Sequence, residues 1–397
     1  MTIKTLLEKL RTYRRALHQI PEIGFDVFKT QQYLKQQLES MGYTPIPIVQ
    51  SGLLVHIKGE SDEAIAFRAD MDALTIEEEN HVSYISRHPG NMHACGHDGH
   101  MSMVLGLADI LKRVAKPKQS IVLIFQPAEE GPSGAKAIVE VGLLKAYNIK
   151  KIFGFHIDPH LEEGLVGLTN GIMMSENSEY DVHITGKSAH AGKAEDGIDA
   201  MNAGLHLVQG FKAITECFTE SNKRAILNIG TFNAGETRNS VASFARLTGT
   251  IRSLNQIDYH AIIEKMRRVV DDIQLRHHVA IQLIFKNHYP AVINDQTLFN
   301  TMRQTLNAND YAILAPMMFS EDFSFYQKEI PGLFMMLGSK NISQGLTHPL
   351  HNACFNFNEE ILLRGVQTYL DILHAYDVLG IQYPLLTSEP LTYQKSV

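Results

Sequence analysis

From the N-terminus to about Gly171, short apolar runs recur between helical patterns. Leu6, Leu7, Leu10, Tyr13 and Leu17 fall on one side of a helix predicted over residues 1–19, whose other side is charged. Residues 53–57, 64–69, 121–125 and 152–155 are apolar without alternation, the pattern of strands buried on both faces. A helix pattern covers residues 99–114, and residues 332–337 and 359–376 repeat the texture as a strand and a closing helix. These elements predict an α/β layer around a largely parallel sheet.

Between them the periodicity changes. Tyr180, Val182 and Ile184 alternate with polar residues, as in a strand with one face in solvent. A helix over 196–217, strands over 225–232 and 241–251 around a turn at Asn233-Ala234-Gly235, a helix over 256–276 and a strand over 279–285 follow. The order β-α-β-β-α-β is that of a split βαβ, ferredoxin-like unit. Residues 175–289 are therefore expected to form an α+β domain inserted into a discontinuous one, residues 1–174 and 290–386, with a loose tail over 387–397.

Composition narrows the class. The chain has 397 residues, 44% hydrophobic and 20% charged, enough for a large core and two domains. A net charge of -7 without a run of Lys or Arg offers no basic stripe for nucleic acid. The N-terminal pattern lacks the apolar centre of a secretion signal, and no stretch is apolar for long enough to span a bilayer. The cysteines Cys95, Cys217 and Cys354 are odd in number and far apart, which suits a reducing compartment rather than a disulfide framework. The expectation is a cytoplasmic protein without nucleic-acid or membrane partners, with Cys217 and Cys354 as buried small residues.

In open α/β sheets ligands collect beyond the carboxyl ends of the strands. Here Asp70 and Asp72 follow the run 64–69, Glu129 and Glu130 follow 121–125, and His156 follows 152–155. His348 and His351 lie beyond 332–337, and Cys95 and His97 lead into the helix from about residue 99. Thiolate, imidazole and carboxylate together suit a borderline divalent metal such as zinc, manganese, cobalt or nickel. A helix N-terminus is expected to depress the Cys95 pKa. Asp70 and Asp98 are candidates either to hold ligand histidines or to cap their turns, and His93 and His100 are read as structural.

The runs 67–74, Met92-His93-Ala94-Cys95-Gly96-His97-Asp98, 126–131, Phe155-His156, Ser188-Ala189-His190-Ala191-Gly192 and Ser320-Glu321-Asp322-Phe323 resemble the amidohydrolase branch (aminoacylase, hippurate hydrolase) of the M20 metallopeptidase family. The similarity runs from about Arg15 to about Leu373, with the motifs in order. It implies a catalytic domain of zinc-aminopeptidase type with two divalent metal ions on Cys95, His97, Glu130, His156 and His351. It further implies Glu129 as general base and acid for a metal-activated water, and an inserted lid domain that forms a homodimer, with a tetramer as the alternative. His190 would reach the partner subunit's active site and stabilise the oxyanion, and Asn239 and Arg252 would bind the substrate carboxylate. A guanidinium fork suits that last task, although phosphate or sulfate would engage it equally.

The expected activity is hydrolysis of N-acyl amino acids, or of short peptides or amino-acid conjugates; the contrasting class is a metal-binding protein without turnover. The opening His18-Gln19-Ile20-Pro21-Glu22-Ile23-Gly24-Phe25 resembles N-acetyl-diaminopimelate deacetylases. Two departures from the family pattern, no proline soon after His190 and Phe319-Ser320 in place of a glycine pair, bear on the acyl side and touch no proposed ligand.

Overall fold

The computed structural model describes residues 2–220 and 225–379; the tail expected over 387–397 lies outside them. The strands, in chain order, are β1 (Ile46–Ile48), β2 (Gly52–Ile57), β3 (Ser61–Asp70), β4 (Gln119–Gln126), β5 (Ile149–Glu162), β6 (Val166–Leu168) and β7 (Gly171–Met174). They continue as β8 (Glu176–Thr185), β9 (Ala225–Ala234), β10 (Phe244–Ser253), β11 (Ala280–Tyr289), β12 (Val292–Asn294), β13 (Tyr311–Ile313) and β14 (Gly332–Lys340). The helices are α1 (Ile3–His18), α2 (Phe28–Ser40), α3 (His97–Leu111), α4 (Gly134–Glu140), α5 (Leu143–Ala146), α6 (Ala200–Glu220), α7 (Gln256–His277), α8 (Gln296–Thr305), α9 (Ser324–Glu329) and α10 (Ile361–Ala375).

The chain divides into two compact units. The first runs from the N-terminus to Gly171, then takes in Ile293–Ala315 and the chain from Asp322 onward; the second is Ile172–Val292 with Pro316–Glu321. The sheet of the first unit has the order β1-β2-β4-β3-β5-β14-β6-β13. Its centre, β4-β3-β5-β14, is parallel throughout, which is the α/β layer expected from the unalternated apolar runs. All fifteen residues of α3 are buried, so the helix predicted over 99–114 is a core helix. It packs against α1 and α10 over a core that includes Leu10, Leu17, Val104, Leu107, Val366 and Tyr369.

The second unit is an antiparallel sheet, β11-β8-β10-β9, assembled in the chain order β8-α6-β9-β10-α7-β11. Its core holds Tyr180, Val182, Ile184, Phe211, Ile251, Ile262 and Met266; in β8 the alternating apolar residues are buried as predicted, but Asp181 between them is buried too and His183 half-buried, so that face is not open to solvent throughout. The mixed α/β class with a separate antiparallel domain is therefore as expected.

Three local expectations need correction. The strand predicted over 152–155 extends to Glu162, so His156 lies inside β5, opposite Met336 of β14. Backbone pairing continues past the last apolar residue because it does not depend on side-chain polarity. The turn predicted at 233–235 begins later, since β9 stays paired through Ala234. Cys217 and Cys354 are exposed and half-buried rather than buried; Cys217 lies 3.3 Å from the Lys265 ammonium, on the outside of α6. Among the described residues no helix is long and apolar enough to cross a membrane.

Candidate metal centre

Gly96 turns the chain at φ +84° immediately before α3, a conformation that suits glycine, and Cys95 and His97 flank it. The Nδ1–H of His97 donates to the backbone carbonyl of Asp72 at 2.8 Å. A carbonyl only accepts, so the neutral ring carries its proton on Nδ1 and its lone pair on Nε2. That Nε2 is buried without a hydrogen-bond partner among the described residues. His156 is fixed in the same way: Nδ1–H donates to the Ile157 carbonyl at 2.7 Å, and Nε2 lies 3.3 Å from Cys95 Sγ.

Beyond β4 the chain turns sharply. Ala128 sits at φ +58°, and a Cβ on Gly134 would lie 1.7 Å from the Pro127 carbonyl oxygen, so only glycine fits there. The two carboxylate oxygens of Asp72 accept the backbone N–H groups of Glu129, at 2.9 Å, and Glu130, at 3.1 Å. In this turn the adjacent side chains are not forced to opposite faces, and Glu129 is only 7% exposed. His351, at φ +62°, donates its backbone N–H to the Ala94 carbonyl at 2.9 Å. Its Nε2 lies 3.4 Å from Cys95 Sγ and 3.2 Å from Glu130 Oε1. A histidine held in the left-handed region is strained, as residues at functional sites often are.

Two ligand triplets result, each with its donor atoms within 4.8 Å of one another: Cys95, His97 and His156, and Cys95, Glu130 and His351. Cys95 Sγ belongs to both. Glu129 forms a further group with His97 and Glu130. The electrostatics are those of a site that a cation would complete. Burial opposes protonation of His97, yet Asp70, Asp72 and Glu130 together push its pKa up to about 10. Burial, followed by the repulsion of His100, pushes His156 down to about 3 and keeps it neutral. Glu130 is held below the usual range by His351 and His97, against burial.

The depressed Cys95 pKa expected from the helix N-terminus is not found. Burial, then Glu130, Glu129 and Asp70, hold the thiol well above its ordinary value; the carboxylates and desolvation outweigh the helix end. A buried sulfur between imidazole lone pairs and carboxylates, with an unsatisfied Nε2 beside it, fits a divalent metal. The five ligands implied by the sequence resemblance are thus brought together, and His348, exposed on its loop, stands outside the cluster.

The surrounding contacts differ from the sequence expectation. Asp70 does not hold a proposed ligand by a hydrogen bond; it accepts from His100 Nδ1 at 2.7 Å and Arg68 Nη1 at 2.7 Å. His100 Nε2 in turn accepts the N–H of Ile157 at 2.9 Å, which fastens α3 to β5. Asp98 caps its own turn through Gly99 N–H, at 2.9 Å, and pairs with Arg14 and His18 rather than with His97. His93 is buried with neither ring nitrogen hydrogen-bonded among the described residues, and burial pushes it down to about 3. Sequence reasoning gave no role to Asp72, whose only signal was its place just past a strand end. Asp322 was also missed: it accepts from Arg68 Nη2 (2.8 Å), Gln126 Nε2 (2.8 Å) and the N–H of Ala135 (2.9 Å), and ties the ends of β3 and β4 to α4.

In the second unit, His190 and Asn239 are exposed on adjoining loops: the Ala191 N–H donates to the Asn239 carbonyl at 3.0 Å. His190 Nδ1 accepts the Gly192 N–H at 3.0 Å, which leaves the proton of the neutral ring on Nε2. Arg252, near the end of β10, donates from Nη1 to the Met318 carbonyl at 3.0 Å and the Ser320 hydroxyl at 3.3 Å. Burial lowers its pKa.

Comparison with known proteins agrees with this geometry. The profile of peptidase family M20/M25/M40 matches residues 66–375. An uncharacterized hydrolase of Staphylococcus haemolyticus is 34% identical over 378 residues, covering 93% of this chain and 98% of that protein. A crystal structure from methicillin resistant Staphylococcus aureus superposes with a TM-score of 0.86 at 28% identity, covering 95% of this chain and 98% of that one. The Bacillus subtilis YXEP protein, described as a dinuclear metal binding peptidase from the M20 family, superposes at 0.81 with 29% identity, over 95% of this chain and all (100%) of its own. With the family profile spanning most of its length and its reactive side chains gathered at one end of the parallel sheet, this chain is a member of peptidase family M20/M25/M40.

Proposed function

We propose that the protein hydrolyses the amide bond of N-acyl amino acids of the N-acetyl or N-benzoyl type, releasing a carboxylate and a free amino acid. The observation that carries this reading is the position of Glu129, buried beside two ligand triplets on a turn that Asp72 holds. Cys95, His97 and His156 would hold one divalent ion, and Cys95, Glu130 and His351 the other; zinc, manganese, cobalt and nickel all suit this donor set. The dinuclear metal binding described for the Bacillus subtilis structure supports a pair. When bound, such a pair supplies an acidified water and a polarised substrate carbonyl.

Glu129 takes a proton from the water as its oxygen bonds to the carbonyl carbon. When the C–N bond breaks, Glu129 passes that proton to the departing nitrogen. His97 and His156, each with Nδ1–H spent on a backbone carbonyl, present Nε2 as donor atom throughout. The substrate's carboxylate goes to Asn239 and Arg252, and His190 Nε2–H donates to the oxyanion in the partner subunit of a homodimer. The direct test removes metal with a chelator and adds back each divalent ion against a panel of N-acetyl and N-benzoyl amino acids. Hydrolysis that returns with metal is expected; a panel with no metal-dependent turnover contradicts the reading.

A further inference from the structure

Arg14 is a charged side chain in the core of the first unit, 1% exposed, and each arm of its guanidinium is engaged. Nε donates to Asp98 Oδ2 at 3.2 Å, Nη1 to the Phe357 carbonyl at 3.2 Å, and Nη2 to Asn356 Oδ1 at 2.6 Å. The guanidinium carbon lies 3.8 Å over the Phe357 ring. His18, one turn further along α1, donates from Nδ1 to the same Asp98 oxygen at 2.8 Å, and its Nε2 lies 3.0 Å from Glu78. A buried ion costs more desolvation than an apolar side chain of its size, so packing alone gives no reason for arginine here.

What Arg14 joins gives the reason. Asp98 follows His97 directly and fixes the first turn of α3 through Gly99 N–H. Asn356 and Phe357 belong to the loop that leaves His351. One side chain therefore spans the two segments that bring His97 and His351 close to Cys95. We infer that Arg14 is a positioning residue for the metal pair: it sets the spacing between the His97 turn and the His351 loop, and with it the affinity for the ion held by Cys95, Glu130 and His351. The inference rests on the two-ion reading above.

Chelated parent, Arg14→Lys and Asn356→Ala proteins are titrated with Co2+, with stoichiometry read by equilibrium dialysis and sulfur ligation by the thiolate-to-cobalt absorption. Lysine keeps a cation beside Asp98, but its single ammonium cannot serve Asp98, Asn356 and Phe357 at once. The parent is expected to bind two equivalents. Both variants should bind the first as the parent does and the second about 10–100-fold more weakly, with altered absorption for that second equivalent and activity restored by excess metal. Asn356→Ala leaves Arg14 and Asp98 in place, so it decides the matter even if the Arg14 variant folds poorly. Parent-like affinity and spectrum for both equivalents in the two variants, whatever their melting temperatures, would overturn the inference. A parent that binds no ion through sulfur defeats the two-ion reading before any variant is compared, and takes this inference with it.

Discussion

The carboxylate of Asp72 accepts the backbone N–H of Glu129 at 2.9 Å, across 57 positions of sequence. Its second oxygen takes the N–H of Glu130 at 3.1 Å, and its backbone carbonyl takes Nδ1–H of His97. One fully buried residue thus orients the proposed proton carrier and two of the proposed ligands.

Replacing Asp72 with Ala leaves one buried and one partly buried N–H group unpaired and frees the turn, while the backbone bond to His97 survives. Turnover should fall about 10–100-fold, the range found for supporting contacts around metal ligands, with metal stoichiometry retained. Steady-state kinetics beside metal analysis checks this; an unchanged kcat would show that the turn does not need Asp72.

Acid stability has an identifiable contributor at Asp109. Burial raises its pKa, but Lys112 and Lys9 outweigh it, and the folded value is lowered; Lys9 Nζ lies 2.7 Å away. A carboxyl group lowered on folding adds stability above its unfolded pKa, near 4, and loses it as pH falls through the folded value. Asp109→Asn should therefore be less stable than the parent at neutral pH, with the gap narrowing below about pH 4. Melting curves from pH 7 to pH 3 measure it, and a constant gap contradicts the assignment.

His190 offers a separable test of the second unit. If its Nε2–H donates to the oxyanion, His190→Ala should lower kcat by about 10²–10³-fold without changing metal content. In the proposed dimer, mixing His190→Ala with Glu129→Gln protein should restore part of the activity, because in the mixed dimer one site combines the Glu129 of the first variant with the His190 of the second. A mixture no more active than its components excludes exchange of His190 between subunits.

Part of the proposed site was legible because reactive side chains follow apolar runs, and the resemblance chose the five proposed ligands from among them. Cys95, His97, Glu130 and His351 were readable as reactive side chains bordering apolar runs. His156 was placed just past a strand end, whereas β5 continues through it, since polarity marked an end that hydrogen bonding does not respect. Arg14 and His18 looked like the charged side of an amphipathic helix, because a sequence does not reveal which cations of such a helix meet a buried carboxylate. Asp72 was obscure for a related reason: its partners are backbone N–H groups, which every segment of chain possesses. The Cys95 pKa was misjudged because helix position is local, whereas the carboxylates that raise it come from distant parts of the chain.

The account turns on Glu129. Glu129→Gln keeps the shape of the side chain and the backbone bond to Asp72, and removes the proton carrier. Assayed on the best N-acyl amino acid from the panel, it should retain the parent's metal stoichiometry and lose about 10²–10⁴-fold in kcat. Parent-level turnover by the Gln variant would contradict the mechanism.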